Sequence, residues 1–111
     1  MTDKNLFPSA ATYFDLMEGT DKTRVVAVFT ADAEVVDDGH TYTGHGEILG
    51  WLTGPAGAFT ATSTWLSGSL EDDTAVAVIR LAGNFPGSPV DLRHEFTRSS
   101  TGLISSLKIT A

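Results

Sequence analysis

The stretch Phe29-Thr-Ala-Asp-Ala-Glu-Val-Val-Asp-Asp-Gly-His-Thr-Tyr-Thr-Gly-His-Gly-Glu-Ile-Leu-Gly-Trp-Leu52 constrains the fold of this 111-residue chain more than any other part of it. Asp38-Gly39 is a strong type I′ hairpin signal, because both residues tolerate positive φ and the primed turn matches the twist of the strands it joins. Glu34 to Asp37 therefore reads as a strand and His40 to Thr43 as its partner. Phe29 closes the helical segment before the hairpin. After it, Gly46 to Leu52 reads as a short helix carrying Ile48, Leu49, Trp51 and Leu52, stopped by Gly54-Pro55-Ala56-Gly57.

Upstream, Pro8-Ser9 starts a helix in which Ala10, Ala11, Tyr13, Phe14, Leu16 and Met17 give an apolar-rich stretch ending at Gly19. Thr20 or Asp21 can accept from the next free backbone amides, and Val25, Val26, Val28 and Phe29 supply the buried side of a second short helix. Downstream, four strands are predicted: Ala58 to Leu70, Thr74 to Asn84, Pro89 to Arg98 and Leu103 to Thr110. Their connections, Glu71-Asp72-Asp73, Phe85-Pro86-Gly87-Ser88 and Ser99-Ser100-Thr101-Gly102, are hairpin-like. Helices followed by an antiparallel meander make an α+β domain, and 111 residues suffice for one continuous core and not two, so residues 1–111 are expected to form a single domain.

Composition narrows the function. A net charge of −7 argues against a nucleic-acid binder, which needs clustered Lys and Arg to displace counterions from phosphates. With no Cys, a disulfide framework, a thiolate nucleophile and a thiolate metal site are all out of reach. Met-Thr-Asp-Lys-Asn-Leu-Phe-Pro lacks the apolar core of a signal peptide, and no apolar run approaches the length of a membrane span. A cytoplasmic protein without membrane or nucleic-acid partners is the expectation.

Strand alternation sorts the later residues by face. Val90, Leu92, His94 and Phe96 share one face, which places His94 in an apolar row, while Asp91, Arg93, Glu95 and Thr97 share the other. Phe59, Ala61, Ser63 and Trp65 form the natural core or pocket lining of the first long strand, with Thr60, Thr62 and Thr64 opposite. Ala75-Val76-Ala77-Val78-Ile79 is apolar on both faces, as in a strand whose outer face is also covered, and this points to a homodimer through the sheet.

Taken together, these elements and the stretch from Tyr13 through Leu52 resemble the nuclear transport factor 2-like superfamily, in particular its SnoaL-like and ketosteroid isomerase-like members. The resemblance implies a cone-shaped barrel of N-terminal helices packed on a curved antiparallel sheet, with one deep pocket for a small hydrophobic molecule, and homodimerisation. The isomerase pattern has a Tyr in helix one, a Phe closing helix two, an Asp at the end of the following strand and an acid on a late strand. Here these fall on Tyr13, Phe29, Asp37 and, in place of the acid, His94. The pocket lining implied is Phe14, Trp51, Phe59, Trp65, Leu92, Phe96 and Leu107.

Such a trio suits proton transfer on a ketone- or polyketide-like substrate, with Asp37 as base, Tyr13 as donor to a developing enolate and His94 as second donor or shuttle. Replacing the late acid by His removes the feature most closely tied to isomerisation, so isomerase, cyclase and dehydratase chemistry all stay open. Each residue also has a plain structural reading: Asp37 as a turn residue bonding its own backbone, Tyr13 as a core aromatic, His94 as a packed histidine. On that reading the domain is a non-catalytic ligand-binding or dimerisation module. His40, His45 and Glu47 lack the i, i+4 pairing of a helical metal site and read as surface or mouth residues, Asp32 as a cap or turn, and neither a metal nor an organic cofactor is expected.

Overall fold

In the computed structural model, which describes residues 6–19, 21–54 and 61–111, helix α1 (Pro8–Met17) and the single turn α2 (Thr23–Val26) lead into strands β1 (Phe29–Asp37) and β2 (His40–Thr43). Helix α3 (Gly44–Thr53) follows, then strands β3 (Ala61–Glu71), β4 (Thr74–Gly83), β5 (Val90–Arg98) and β6 (Ile104–Thr110). The six strands form one curved, unclosed sheet in the order β2-β1-β6-β5-β4-β3, an α+β arrangement with the helices on its concave side. All neighbours are antiparallel except β1 and β6, so the last strand enters beside the first in parallel.

The hairpin forms where expected: Asp38 and Gly39 take φ of 53° and 76°, and Asp37 pairs with His40. Phe29, in contrast, does not close a helix. The second helix stops at Val26, and Phe29 begins β1 beside Ile104, whose amide donates to the Val28 carbonyl at 2.8 Å. The pairing with Ile104, far along the chain, draws Phe29 into the strand. Asp32 is likewise no cap: it lies exposed within β1, accepting from the Thr30 hydroxyl at 3.0 Å, in the segment between Phe29 and Glu34 where the register with β6 shifts.

Local bonds fix the helices. Asp21 accepts from the Thr23 amide at 3.1 Å and so caps α2 from outside it, and the Lys22 ammonium donates to the carbonyls of Met17, the last residue of α1, and of Gly19 just beyond it, at 2.7 and 2.9 Å. At α3, Glu47 accepts from the Thr43 amide at 2.8 Å, and His45 joins its Nε2 to the Phe29 carbonyl at 3.0 Å, which pins the helix start to β1.

The core lies between sheet and helices. Phe29, Ala33 and Val35 of β1, Ala75, Ala77 and Ile79 of β4, Phe96 of β5 and Ile104, Leu107 and Ile109 of β6 point inward, against Ala10 and Tyr13 of α1 and Ile48, Trp51 and Leu52 of α3. On the outer face Val76 and Val78 are half-buried among polar neighbours, which include the ion pairs Arg80–Asp91 and Arg93–Glu95. No helix among the described residues is long and apolar enough to cross a membrane.

Candidate functional site

Strand register brings two of the three candidate residues into one row. Asp37 lies beside Ile109 through the β1–β6 pairing, and His94 lies beside the same Ile109 through the β5–β6 pairing. They flank Ile109 across the concave face, roughly 10 Å apart at Cα for two steps of strand spacing.

Asp37 ends β1 half-buried, and its Oδ2 accepts from the indole Nε1 of Trp51 at 2.9 Å. The carboxylate thus reaches across to α3 instead of bonding its own turn. Trp51 is 2% exposed, with Tyr42 of β2 tilted against it at 6.1 Å between ring centroids. A buried indole has one polar atom to satisfy, and Asp37 satisfies it.

Tyr13 enters from α1, buried, with its ring edge-on to Phe14, Phe29 and Phe96 at 5.2, 6.0 and 5.4 Å. Burial holds its hydroxyl well above the usual phenol range, and the nearby Asp37 charge raises it further, so Tyr13 stays protonated and neutral.

His94 lies 6.5 Å from the Tyr13 ring, 5.3 Å from Phe14 and stacked on Phe96 at 6.2 Å. It is 7% exposed, and its Nδ1 is buried without a hydrogen-bond partner. Burial pushes its pKa down to about 4; the carbonyls of Leu92 and Ala77 act in the opposite direction without offsetting it. The ring is therefore neutral near pH 7. A carboxylate on one side of the concave face and two neutral donors on the other can divide proton removal from stabilisation of the negative charge it creates.

The pocket residues predicted from sequence fall into two groups. Trp51, Phe96 and Leu107 are fully buried, whereas Phe14, Trp65 and Leu92 are partly buried against that core, with Phe14 edge-on to Trp65 at 5.6 Å. Phe59 lies outside the described residues. Beside them an open groove of about 530 Å³ runs between the β1–β2 turn, the β4–β5 connection and the end of β6; Asp37 and Leu92 line it, and Tyr13 and His94 do not. Among the described residues no group of three or more His, Asp or Glu could hold a metal ion.

The polar role of Trp51, and Asp38, Phe85 and Pro86 as groove walls, were not legible as site features. Only the rule that a buried indole N–H takes a partner pointed toward the first.

A curved sheet packed on N-terminal helices, with Asp37 and His94 in one row of the sheet and Tyr13 beside His94 from α1, defines an α+β cone. No family model and no curated protein matches the sequence. Solved structures do. A candidate polyketide cyclase from Sinorhizobium meliloti superposes with a TM-score of 0.85 at 31% identity, over 92% of this chain and 93% of that one. A Mycobacterium tuberculosis protein matches at 0.82 and 16% identity over 100% and 93% of the two chains. Its complex with estradiol-17β-hemisuccinate matches at 0.72 and 14%, over 93% and 90%. A candidate ketosteroid isomerase from Kribbella flavida matches at 0.76 and 16% over 91% and 73%. The chain belongs to the nuclear transport factor 2-like superfamily, among its SnoaL-like and ketosteroid isomerase-like members.

Proposed function

We propose that this protein is a general acid/base enzyme acting on a small hydrophobic ketone- or polyketide-like molecule. The observation that carries the reading is the shared row of Asp37 and His94 around Ile109, with Tyr13 beside His94 and within the electrostatic reach of Asp37. The 31% identity to a candidate polyketide cyclase over 92% of the chain supports the same chemistry.

In this reading an Asp37 oxygen takes a proton from the carbon next to a substrate carbonyl. The C–H electron pair becomes the enolate double bond, and the negative charge gathers on the carbonyl oxygen. Tyr13 donates to that oxygen, and the neutral His94 ring is the second donor. Return of the proton from Asp37 to another carbon completes an isomerisation; attack of the enolate carbon on a second carbonyl, whose oxygen takes the proton from Asp37, completes a cyclisation; and departure of a β-hydroxyl that takes the same proton and leaves as water completes a dehydration.

The test is hydrogen–deuterium exchange at the α carbon of 2-tetralone in D2O, followed by NMR. The protein accelerates exchange above the buffer rate, and Asp37→Asn returns it to that rate with the fold intact. Exchange that is no faster with protein than without sinks the proposal.

A non-catalytic ligand-binding module is the second reading. It is supported by the open groove, which takes in Asp37 and Leu92 and leaves His94 packed among aromatic rings. It predicts that Asp37→Asn binds hydrophobic ligands as well as the parent. A homodimer through the outer face around Val76 and Val78 fits either reading, and sedimentation as a monomer at micromolar concentration would overturn it.

A further inference from the structure

The groove at the strand ends has an uneven chemistry. Phe85, Pro86, Val90, Leu92 and Ile109 give it apolar walls, and the neutral Thr110 stands at the same end. Among the described residues that line it, two carry charge in their side chains, Asp37 and Asp38, both negative, and none is Lys, Arg or His. Asp37 is half-buried and its Oδ2 is engaged by Trp51, whereas Asp38 stands exposed at the tip of the turn with φ of 53°. The net charge of −7 adds a background field of the same sign.

We infer that this groove holds one end of an elongated apolar ligand and that Asp38 makes it select neutral over anionic ligands. The inference rests on the reading of the protein as a hydrophobic-ligand binder and goes beyond it by fixing the charge of the ligand. An apolar body lies along Leu92, Val90 and Ile109 under Phe85 and Pro86, while a carboxylate carried at that end meets Asp37 and Asp38 with no cation among the described lining residues to compensate. At separations of several Å in a partly solvated groove, such repulsion corresponds to about a tenfold loss of affinity. It shrinks as salt shortens the screening length.

Estradiol-17β-hemisuccinate and its methyl ester, which differ by one negative charge and one methyl group, are the probes. Titration of the parent protein at low salt is expected to show the ester binding about tenfold tighter, with the gap narrowing on added salt. Asp38→Asn, which keeps a residue tolerant of positive φ in the turn, is expected to tighten the hemisuccinate severalfold and leave the ester unchanged. NMR shifts that include Gly39, Gly87 and Thr110 mark the groove as the site; binding that leaves all three unshifted overturns the inference. Equal affinity of the parent for both compounds, or an equal effect of Asp38→Asn on both, also overturns it and leaves hydrophobic binding standing. Failure of both to bind overturns the hydrophobic-ligand reading together with the inference.

Discussion

The Trp51 indole donates to Oδ2 of Asp37 at 2.9 Å, so the proposed base is held by a side chain that is itself part of the core. One carboxylate oxygen is occupied, which leaves Oδ1 as the oxygen for a substrate proton. The orientation comes from α3 and β1 packing together, and not from the turn in which Asp37 sits.

This relationship separates two substitutions. Trp51→Phe removes the donor and part of the core volume and is expected to lower the unfolding free energy by about 2 kcal/mol. Asp37→Asn keeps an acceptor oxygen for the indole and is expected to cost under about 1 kcal/mol. Urea unfolding of the two variants checks the order; Asp37→Asn proving the more damaging would mean that the carboxylate charge, and not its geometry, stabilises the fold.

Tyr13→Phe keeps the ring contacts with Phe14, Phe29 and Phe96 and removes only the hydroxyl. In the enzyme reading the donor to the enolate is lost, and 2-tetralone exchange is expected to fall by about 10²–10³-fold while stability changes by under about 1 kcal/mol. A rate equal to the parent's would remove Tyr13 from the mechanism and leave it as a core aromatic.

His94 gives a pH dependence of defined sign. Its folded pKa is about 4, below the ordinary 6.5, so between those values the unfolded chain binds more protons than the folded one. Stability therefore falls as pH drops from about 6.5 toward about 4, by an amount on the order of 3 kcal/mol, and is unaffected by this group above that window. His94→Gln removes the group, and the difference between its stability–pH curve and the parent's isolates the effect from the carboxylates that titrate nearby. Parallel curves through the window would show that the ring is charged or exposed when folded.

Much of the frame was legible because it rests on local chemistry. Asp38-Gly39 dictated the hairpin, and the period-2 row of β5 dictated its inward face, His94 included, whereas β4, apolar on both faces, left its inward face open. What failed to read was set at long range. Phe29 looks helical beside Val25 and Val26, and only its pairing with Ile104, far along the chain, makes it the start of β1. The parallel insertion of β6 between β1 and β5 leaves no local trace, yet it alone puts Asp37 and His94 on either side of Ile109. The Asp37–Trp51 bond likewise depends on how α3 lies on β1, which neither segment encodes by itself.

Two glycines on either side of β2 test the local part of this account with opposite signs. At Gly39, φ is +76° and an added Cβ meets nothing within 4 Å, so Gly39→Ala costs backbone strain alone, about 1–2 kcal/mol. The strain falls on the turn that sets the Asp37–His40 register and with it the position of the proposed base. Gly50 is exposed within α3, its φ is not positive, and its Cβ site is equally open, so Gly50→Ala relieves only the entropic penalty of a helical glycine and is expected to stabilise by about 0.5–1 kcal/mol. For a domain of this size the two shift the thermal midpoint by several degrees in opposite directions, which calorimetry resolves. A rise in midpoint for Gly39→Ala would mean that residues 38 and 39 do not adopt the primed turn, and the register carrying Asp37 toward Trp51 would have to be redrawn.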